Sequence, residues 1–223
     1  MPLNVTPPLG LTGRSSSHFT RVVRMLAHEL EIPLELQVVH DLMTLDAATY
    51  GGHPALKIPT LHVGTAALFG TENICRELAK LAGRSNDSRV VLPHQVTSVL
   101  AQSAQELVWH AMTVQVQLVV GLRLAKLPTE SIFFTKATTG MNGSLAWLDE
   151  RLGQVLAELP SPRDVSVFEV SLFCMVEHIV FRPTLSLELF PRLRGFATAF
   201  ASRDSAQRTP FQLDPAPTSL QTA

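Results

Sequence analysis

Cysteine is scarce in this chain. Only Cys75 and Cys174 occur among 223 residues, with no Cys-x-x-Cys pair and no cysteine–histidine cluster. A zinc site or a disulfide scaffold needs such groupings, so neither is expected, and no metal is. Both cysteines sit in apolar helical patterns and read as small reduced core side chains. A cytoplasmic location is the matching expectation. Tyrosine is scarcer still, with Tyr50 alone. An excess of one charge is also missing: 18 Lys+Arg against 19 Asp+Glu give a formal net charge of −1. Nothing electrostatic points to nucleic acid or to an anionic membrane. Long apolar runs are interrupted as well. Gln115, Gln117 and Arg123 break the stretch 107–125, and Glu169, Glu177 and His178 break 165–181. A membrane span needs about 20 consecutive, mainly apolar residues, so these read as buried helices. The segment Met1–Leu11 lacks the charged start and apolar run of a signal peptide.

Apolar residues make up 46% of the chain and charged residues 17%. That composition supports a real core and argues against disorder. The length suits one large domain or two small ones. No internal repeat is visible.

Residues 8–12 form a short apolar run stopped by Gly13, a first strand. Phe19, Val22, Val23, Leu26 and Leu30 then recur at three- and four-residue spacing, the mark of one helix face. A serine just before them suits an N-cap, and Pro33 ends the pattern. Residues 34–39 read as a second strand, and 41–53 as a weak helix and a loop ending at Gly51-Gly52. Residues 58–63 and 66–69 read as two strands joined by a turn at Gly64-Thr65. Thr71 is expected to cap a helix from Glu72 to Leu81, ended by Gly83. The order is βαβαββα, an α/β arrangement with parallel pairing and one antiparallel hairpin. Strand signals vanish after Pro93. Helices are expected over roughly 94–126, 131–158, 166–181 and 190–202. The domains are therefore 1–83, a polar linker at 84–93, an all-helical region at 94–212 and a flexible tail at 213–223.

Several segments resemble the glutathione transferase superfamily. Ser17-His18-Phe19-Thr20-Arg21-Val22-Val23-Arg24 is similar to its first-helix signature, S-P-[FY]-x-x-K-V-R. His53-Pro54-Ala55-Leu56-Lys57-Ile58-Pro59-Thr60-Leu61 resembles N-P-x-x-K-V-P-x-L, and residues 68–78 follow the spacing of L-x-E-S-x-x-I-x-x-x-L. Ser166-Val167-Phe168-Glu169 resembles the family's capping box, with Ser166 and Glu169 each expected to bond the other's backbone N–H. Residues 190–196 resemble the start of its final helix.

The resemblance implies a thioredoxin-like domain followed by an all-α domain. It implies glutathione as co-substrate and, as a rule, a homodimer. Lys57, Ile58 and Pro59 match the segment where a cis-proline turn offers backbone groups to the extended tripeptide. Thr71 and the helix behind it match the site of the γ-glutamyl carboxylate, where free N–H groups suit an anion. Gly70 stands where the family carries Glu or Gln, and Glu72 either compensates or merely complements the helix dipole. A hydroxyl just before the first helix would stabilise the glutathione thiolate. Ser17 fits that position by spacing from Arg24, with Ser15 and Ser16 as alternatives and plain helix capping as the bland one. His18 replaces the usual proline. Trp109 and Met112 match the helix that walls the electrophile pocket, although a core stripe predicts the same residues; Gln115 lies on that helix too. The implied activity is attack of the thiolate on a small apolar electrophile. A non-catalytic binding module, or a glutathione-dependent isomerase or dehalogenase, is the alternative.

Overall fold

Four strands lie in the first part of the computed structural model, which describes residues 8–215. They are β1 (Leu9–Gly13), β2 (Leu34–Val38), β3 (Thr60–Val63) and β4 (Ala66–Phe69). Their order in the sheet is β2-β1-β3-β4. β1 pairs parallel with β2, antiparallel with β3, and β3 pairs antiparallel with β4. Helices α1 (His18–Glu29) and α2 (Thr71–Leu81) complete this part and pack against each other. Leu11 and Leu61 are partners in the register and both are fully buried. Val22, Val23, Met25 and Leu26 of α1 and Ile74, Cys75 and Leu78 of α2 join them in the core. Of the stripe that marks α1 in the sequence, Val22, Val23, Leu26 and Leu30 are buried and Phe19 is half-buried.

Between β2 and β3 the expected weak helix is a single 3₁₀ turn, Ala47–Tyr50. Asp46 opens it by accepting from the Ala48 N–H, and Gly51 closes it in the left-handed region at φ 66°. Gly51 is also tightly enclosed. A Cβ there would lie 2.7 Å from Thr12 Oγ1 and 2.8 Å from His62 Nε2, so the turn approaches the sheet too closely for a side chain. Tyr50 fastens the preceding loop. Its buried hydroxyl donates to the carbonyls of Leu42 (2.9 Å) and Thr44 (3.2 Å). Burial, with Asp41 adding to it, pushes the phenol's pKa up, so it stays protonated.

The chain divides into two units: residues up to 90 together with 204 onward, and Val91–Arg203. The second unit is helical, as expected. It holds α3 (Val99–Leu118), α4 (Ile132–Glu158), α5 (Val167–Phe181) and α6 (Pro191–Phe200). Ser98 caps α3 and Ser131 caps α4, each accepting an N–H three residues on. A π-helical segment, Val119–Leu124, continues α3. By length and composition alone, the 26-residue segment Val99–Leu124 could cross a membrane, with an 18-residue window of mean hydropathy 1.3. The same helix packs with α4 and α5 and buries Ala101, Ala104, Val108 and Met112. Gln115, fully buried, donates to the Arg182 carbonyl (2.8 Å), meets His178 Nδ1 (3.2 Å) and accepts from Thr184. Asp149 accepts from the N–H groups of Arg192 (2.8 Å) and Leu193 (2.9 Å), two of the unpaired donors that open α6.

Three expectations change. Residues after 203 do not continue the helical region expected over 94–212. A short helix, α7 (Asp204–Gln207), packs on α1 of the first unit. Of the expected tail, 216–223 lies outside the described residues. Thr71 does not cap α2 but is its first residue; the N-cap is Gly70, with φ 87° and no side-chain bond. The Ser166–Glu169 box forms by half. Ser166 Oγ accepts from the Glu169 N–H (3.1 Å). The Glu169 carboxylate does not return to the Ser166 N–H; it is gripped in bidentate fashion by Arg163 (2.8 and 3.0 Å) and accepts from the Ser166 hydroxyl (2.7 Å). A guanidinium fork binds a carboxylate more strongly than one amide does.

Ser166→Ala therefore lowers stability by about 1 kcal/mol, read as a drop in the urea midpoint. Activity per folded molecule stays the same. An unchanged midpoint would contradict the capping role.

Candidate functional site

Strand register brings three loops to one end of the sheet. Thr60 pairs with Thr12 on one side and with Phe69 on the other. Neighbouring strands lie about 4.8 Å apart. The chain leaves β1 just past Thr12, enters β3 just before Thr60 and leaves β4 at Phe69. The serine turn at residues 14–17, the Ile58–Pro59 pair and the Gly70–Thr71 start of α2 therefore emerge at the same end.

The serine turn is closed by Ser17 N–H donating to the Arg14 carbonyl at 3.1 Å. Ser17 is the N-cap of α1 and its Oγ accepts from the Thr20 N–H at 3.3 Å. It is half-buried, and no other hydrogen bond engages its side chain among the described residues. The hydroxyl hydrogen is thus available to a ligand. Ser15 is buried, and its N–H donates to the Asp214 carboxylate at 3.0 Å. Ser16 is half-buried. Gly13 holds the turn against the helix. A Cβ there would fall 2.6 Å from both Thr20 Oγ1 and Thr20 Cγ2, so the strand end can approach α1 this closely only as glycine. Neither this contact nor Asp214 was visible in the sequence, because both depend on distant backbone approaches. His18 opens α1, is buried, and sets its ring edge-on to Phe19 at 4.7 Å.

At the second loop the Ile58–Pro59 bond is cis. Pro59 is buried, Ile58 half-buried and Lys57 exposed. Among the described residues the Ile58 backbone makes no hydrogen bond. An N–H and a C=O are left for an extended partner.

At the third loop Gly70 adopts φ 87°, a region that side-chain-bearing residues rarely enter. That conformation explains glycine where the resemblance calls for Glu or Gln. Thr71 and the first turn of α2 present N–H groups without intrahelical partners. Glu72 is tied to Arg76 at 2.9 Å across one helical turn. Asn73 turns back to the Phe69 carbonyl at 3.0 Å.

His53 closes the site's flank. Its Nδ1 accepts from the Ala55 N–H (3.1 Å) and its ring stacks at a tilt on Phe69, 4.4 Å away. Burial lowers its pKa, a backbone hydrogen bond partly opposes this, and the charge of Lys57 adds to the lowering. On α3 of the second unit, Trp109 is half-buried and Met112 is fully buried, as a core side chain is. Among the described residues no group of His, Cys, Asp and Glu is suited to a metal ion.

The profile of the glutathione S-transferase N-terminal domain matches residues 16–81, a span that takes in Ser16 and Ser17 of the first loop and the whole of the other two. This part of the chain is similar to that domain. No curated protein matches it in sequence. Solved structures share the transferase fold over nearly the whole length. A glutathione transferase family member from Pseudomonas fluorescens Pf-5, with bound glutathione, is 21% identical with a TM-score of 0.70, covering 92% of this chain and 100% of its own. A glutathione S-transferase from Methylobacterium radiotolerans, complexed with glutathione sulfonate, is 16% identical with a TM-score of 0.74, covering 94% and 98%. One from Methylobacillus flagellatus with glutathione bound is 20% identical with a TM-score of 0.67, covering 91% and 98%. At these identities the likeness is one of fold: a thioredoxin-like domain followed by an all-α domain.

The lowered His53 pKa carries a sign. In the acid range the unfolded chain binds a proton at this residue that the folded chain resists. The contribution of His53 to stability is thus fully present above about pH 6.5, the unfolded value. It is lost as pH falls through the lower folded value. Melting curves across that window should show a steeper acid loss for the parent protein than for His53→Gln. Parallel curves would contradict the assignment.

Proposed function

We propose that this protein is a glutathione-dependent transferase in which Ser17 activates the thiol. The observation that carries the reading is the meeting of three complementary loops at one sheet end, with the half-buried Ser17 hydroxyl at the start of α1. The Ile58 N–H and C=O would pair with the backbone of the extended tripeptide. Lys57 and the neighbouring Pro59 shape that segment. The first turn of α2, at Thr71, would hold the γ-glutamyl carboxylate through its free N–H groups and its positive dipole end. Glu72, held by Arg76, is poorly disposed to replace the side chain missing at Gly70.

A thiol with a pKa of about 8.5 is mostly protonated at neutral pH. The Ser17 O–H, donating to the sulfur, together with the N-terminal end of α1 favours the thiolate. The S–H proton leaves to solvent, and the sulfur lone pair forms a C–S bond to a small apolar electrophile as that carbon's bond to its leaving group breaks and the bonding pair departs with the leaving group. Ser16 shares the turn with Ser17, while Ser15 is buried and serves through its backbone. A homodimer and a cytoplasmic location accompany this reading through the resemblance.

Gly70 favours a second reading. Without a side chain at that N-cap the protein would hold the tripeptide weakly and act as a binding module.

Calorimetric titration with glutathione separates the two. Binding in the parent protein, with Ser17→Ala losing most of the thiolate absorbance while its Kd shifts by no more than about fivefold, supports the enzyme. One lost neutral hydrogen bond amounts to about 1 kcal/mol. An unchanged thiolate signal in Ser17→Ala would remove Ser17 from the role. No binding at all would favour the module.

A further inference from the structure

The last described residues form a strap along α1. It begins beside the C-terminal end of that helix. His28 Nε2 lies 3.2 Å from Asp204, and the Ser205 hydroxyl donates to the Glu29 carboxylate. Midway, the buried Arg21 guanidinium donates to the Ala206 carbonyl (3.2 Å) and lies over the Phe211 ring at 4.4 Å. Such a cation–ring contact is stronger when water is excluded. Thr209 stiffens the path by donating to the Ser205 carbonyl (2.7 Å). The strap ends at the opposite end of α1, where Asp214 accepts the Ser15 N–H at 3.0 Å.

That last bond answers a specific need. In a turn closed by its fourth residue's N–H, the second residue's N–H has no partner inside the turn. Here the closing bond runs from Ser17 to Arg14, so Ser15 is that second residue. Its amide is taken by a carboxylate from a segment 199 residues further along the chain. A charged acceptor makes this bond stronger than a neutral one. Arg24 on α1 is close enough to feel the Asp214 charge, which opposes the loss of basicity that burial and Arg21 impose on it. The carboxylate therefore holds the turn while a nearby cation offsets its charge.

We propose that Asp214 is a positioning residue for the serine turn, so that the carboxy-terminal strap sets how well Ser17 meets the glutathione sulfur. This rests on the thiol-activation reading above. Asp214 touches no reacting atom. It acts by fixing the Ser15 amide, hence the path of residues 14–17 and the direction of the Ser17 hydroxyl. The terminal segment becomes part of the site although it lies far from it in sequence.

The test uses the full chain with Asp214→Ala and Asp214→Asn. Asparagine keeps an oxygen for the Ser15 N–H and drops the charge. Three readings are taken: exchange of the Ser15 amide hydrogen by NMR, thiolate absorbance of bound glutathione at neutral pH, and the melting temperature. Expected for Asp214→Ala are Ser15 exchange faster by about tenfold and a thiolate fraction lower by about tenfold, the scale of one lost charge-assisted hydrogen bond. Asp214→Asn recovers most of both. If Ser15 exchange accelerates while the thiolate fraction stays level, the strap is structural only and the proposal is wrong. It is equally wrong if Asp214→Ala changes neither, or if asparagine recovers nothing. Glutathione binding by the parent protein is measured first. Its absence would sink the thiol-activation reading, and this inference with it, whereas the other failures sink the inference alone.

Discussion

Thr60 is hydrogen-bonded into a ladder between Thr12 and Phe69, and the rest of the site depends on that register. A slip of one residue would turn Leu61 from the core to the opposite face, because side chains alternate along a strand. Leu61 and its partner Leu11 are fully buried, so a slip would expose two large apolar side chains. The hydrophobic effect thus fixes the ladder, and the ladder fixes where the three loops emerge. The polar side has its own check on the register. Thr12 Oγ1 contacts both Gln37 (3.2 Å) and His62 (3.1 Å), with Gly51 closing over them.

Glycine marks the places where backbone and side chain come closest. Gly13 admits Thr20 against the end of β1, and this sets α1 directly behind the serine turn. Gly70 has a different reason, its positive φ. That conformation delivers the chain from β4 into α2 in a sharp bend but removes the side chain that a transferase would direct at its ligand there.

The helical unit is held by polar groups used economically. Gln115 joins α3 to the end of α5 through Arg182, His178 and Thr184. Asp149 supplies α6 with its missing acceptors. Arg163 takes the Glu169 carboxylate, and Ser166 keeps the Glu169 amide. These buried groups find partners that offset their desolvation, whereas the buried Gln105 amide and Ser171 hydroxyl have none among the described residues. This division of labour explains why α5 can be nearly all apolar and still begin at a defined residue.

Periodicity and local chemistry were enough to read the four-stranded sheet, the long helices and their order. The stripe from Phe19 to Leu30 and the runs around Leu61 and Leu68 are set by near neighbours, so they are legible without a fold. Ser17 as the cap of α1 was legible for the same reason: its partner, Thr20, is three residues away. The cap of α2 was misread because Gly70 acts through a backbone angle, which no side-chain pattern reveals. The reciprocal half of the Ser166–Glu169 box failed because Arg163, reaching the carboxylate from outside the motif, offered stronger bonds. The strap was out of reach altogether. Arg21, Phe211, Ser15 and Asp214 show no shared pattern along the chain, and only the packing of residues 204–215 on α1 brings them together. The sequence alone thus determined the elements and the hydroxyl at the start of the first helix. The tertiary structure decided that Ser15 is buried and what holds its turn, because those depend on burial and on contacts between residues nearly two hundred positions apart.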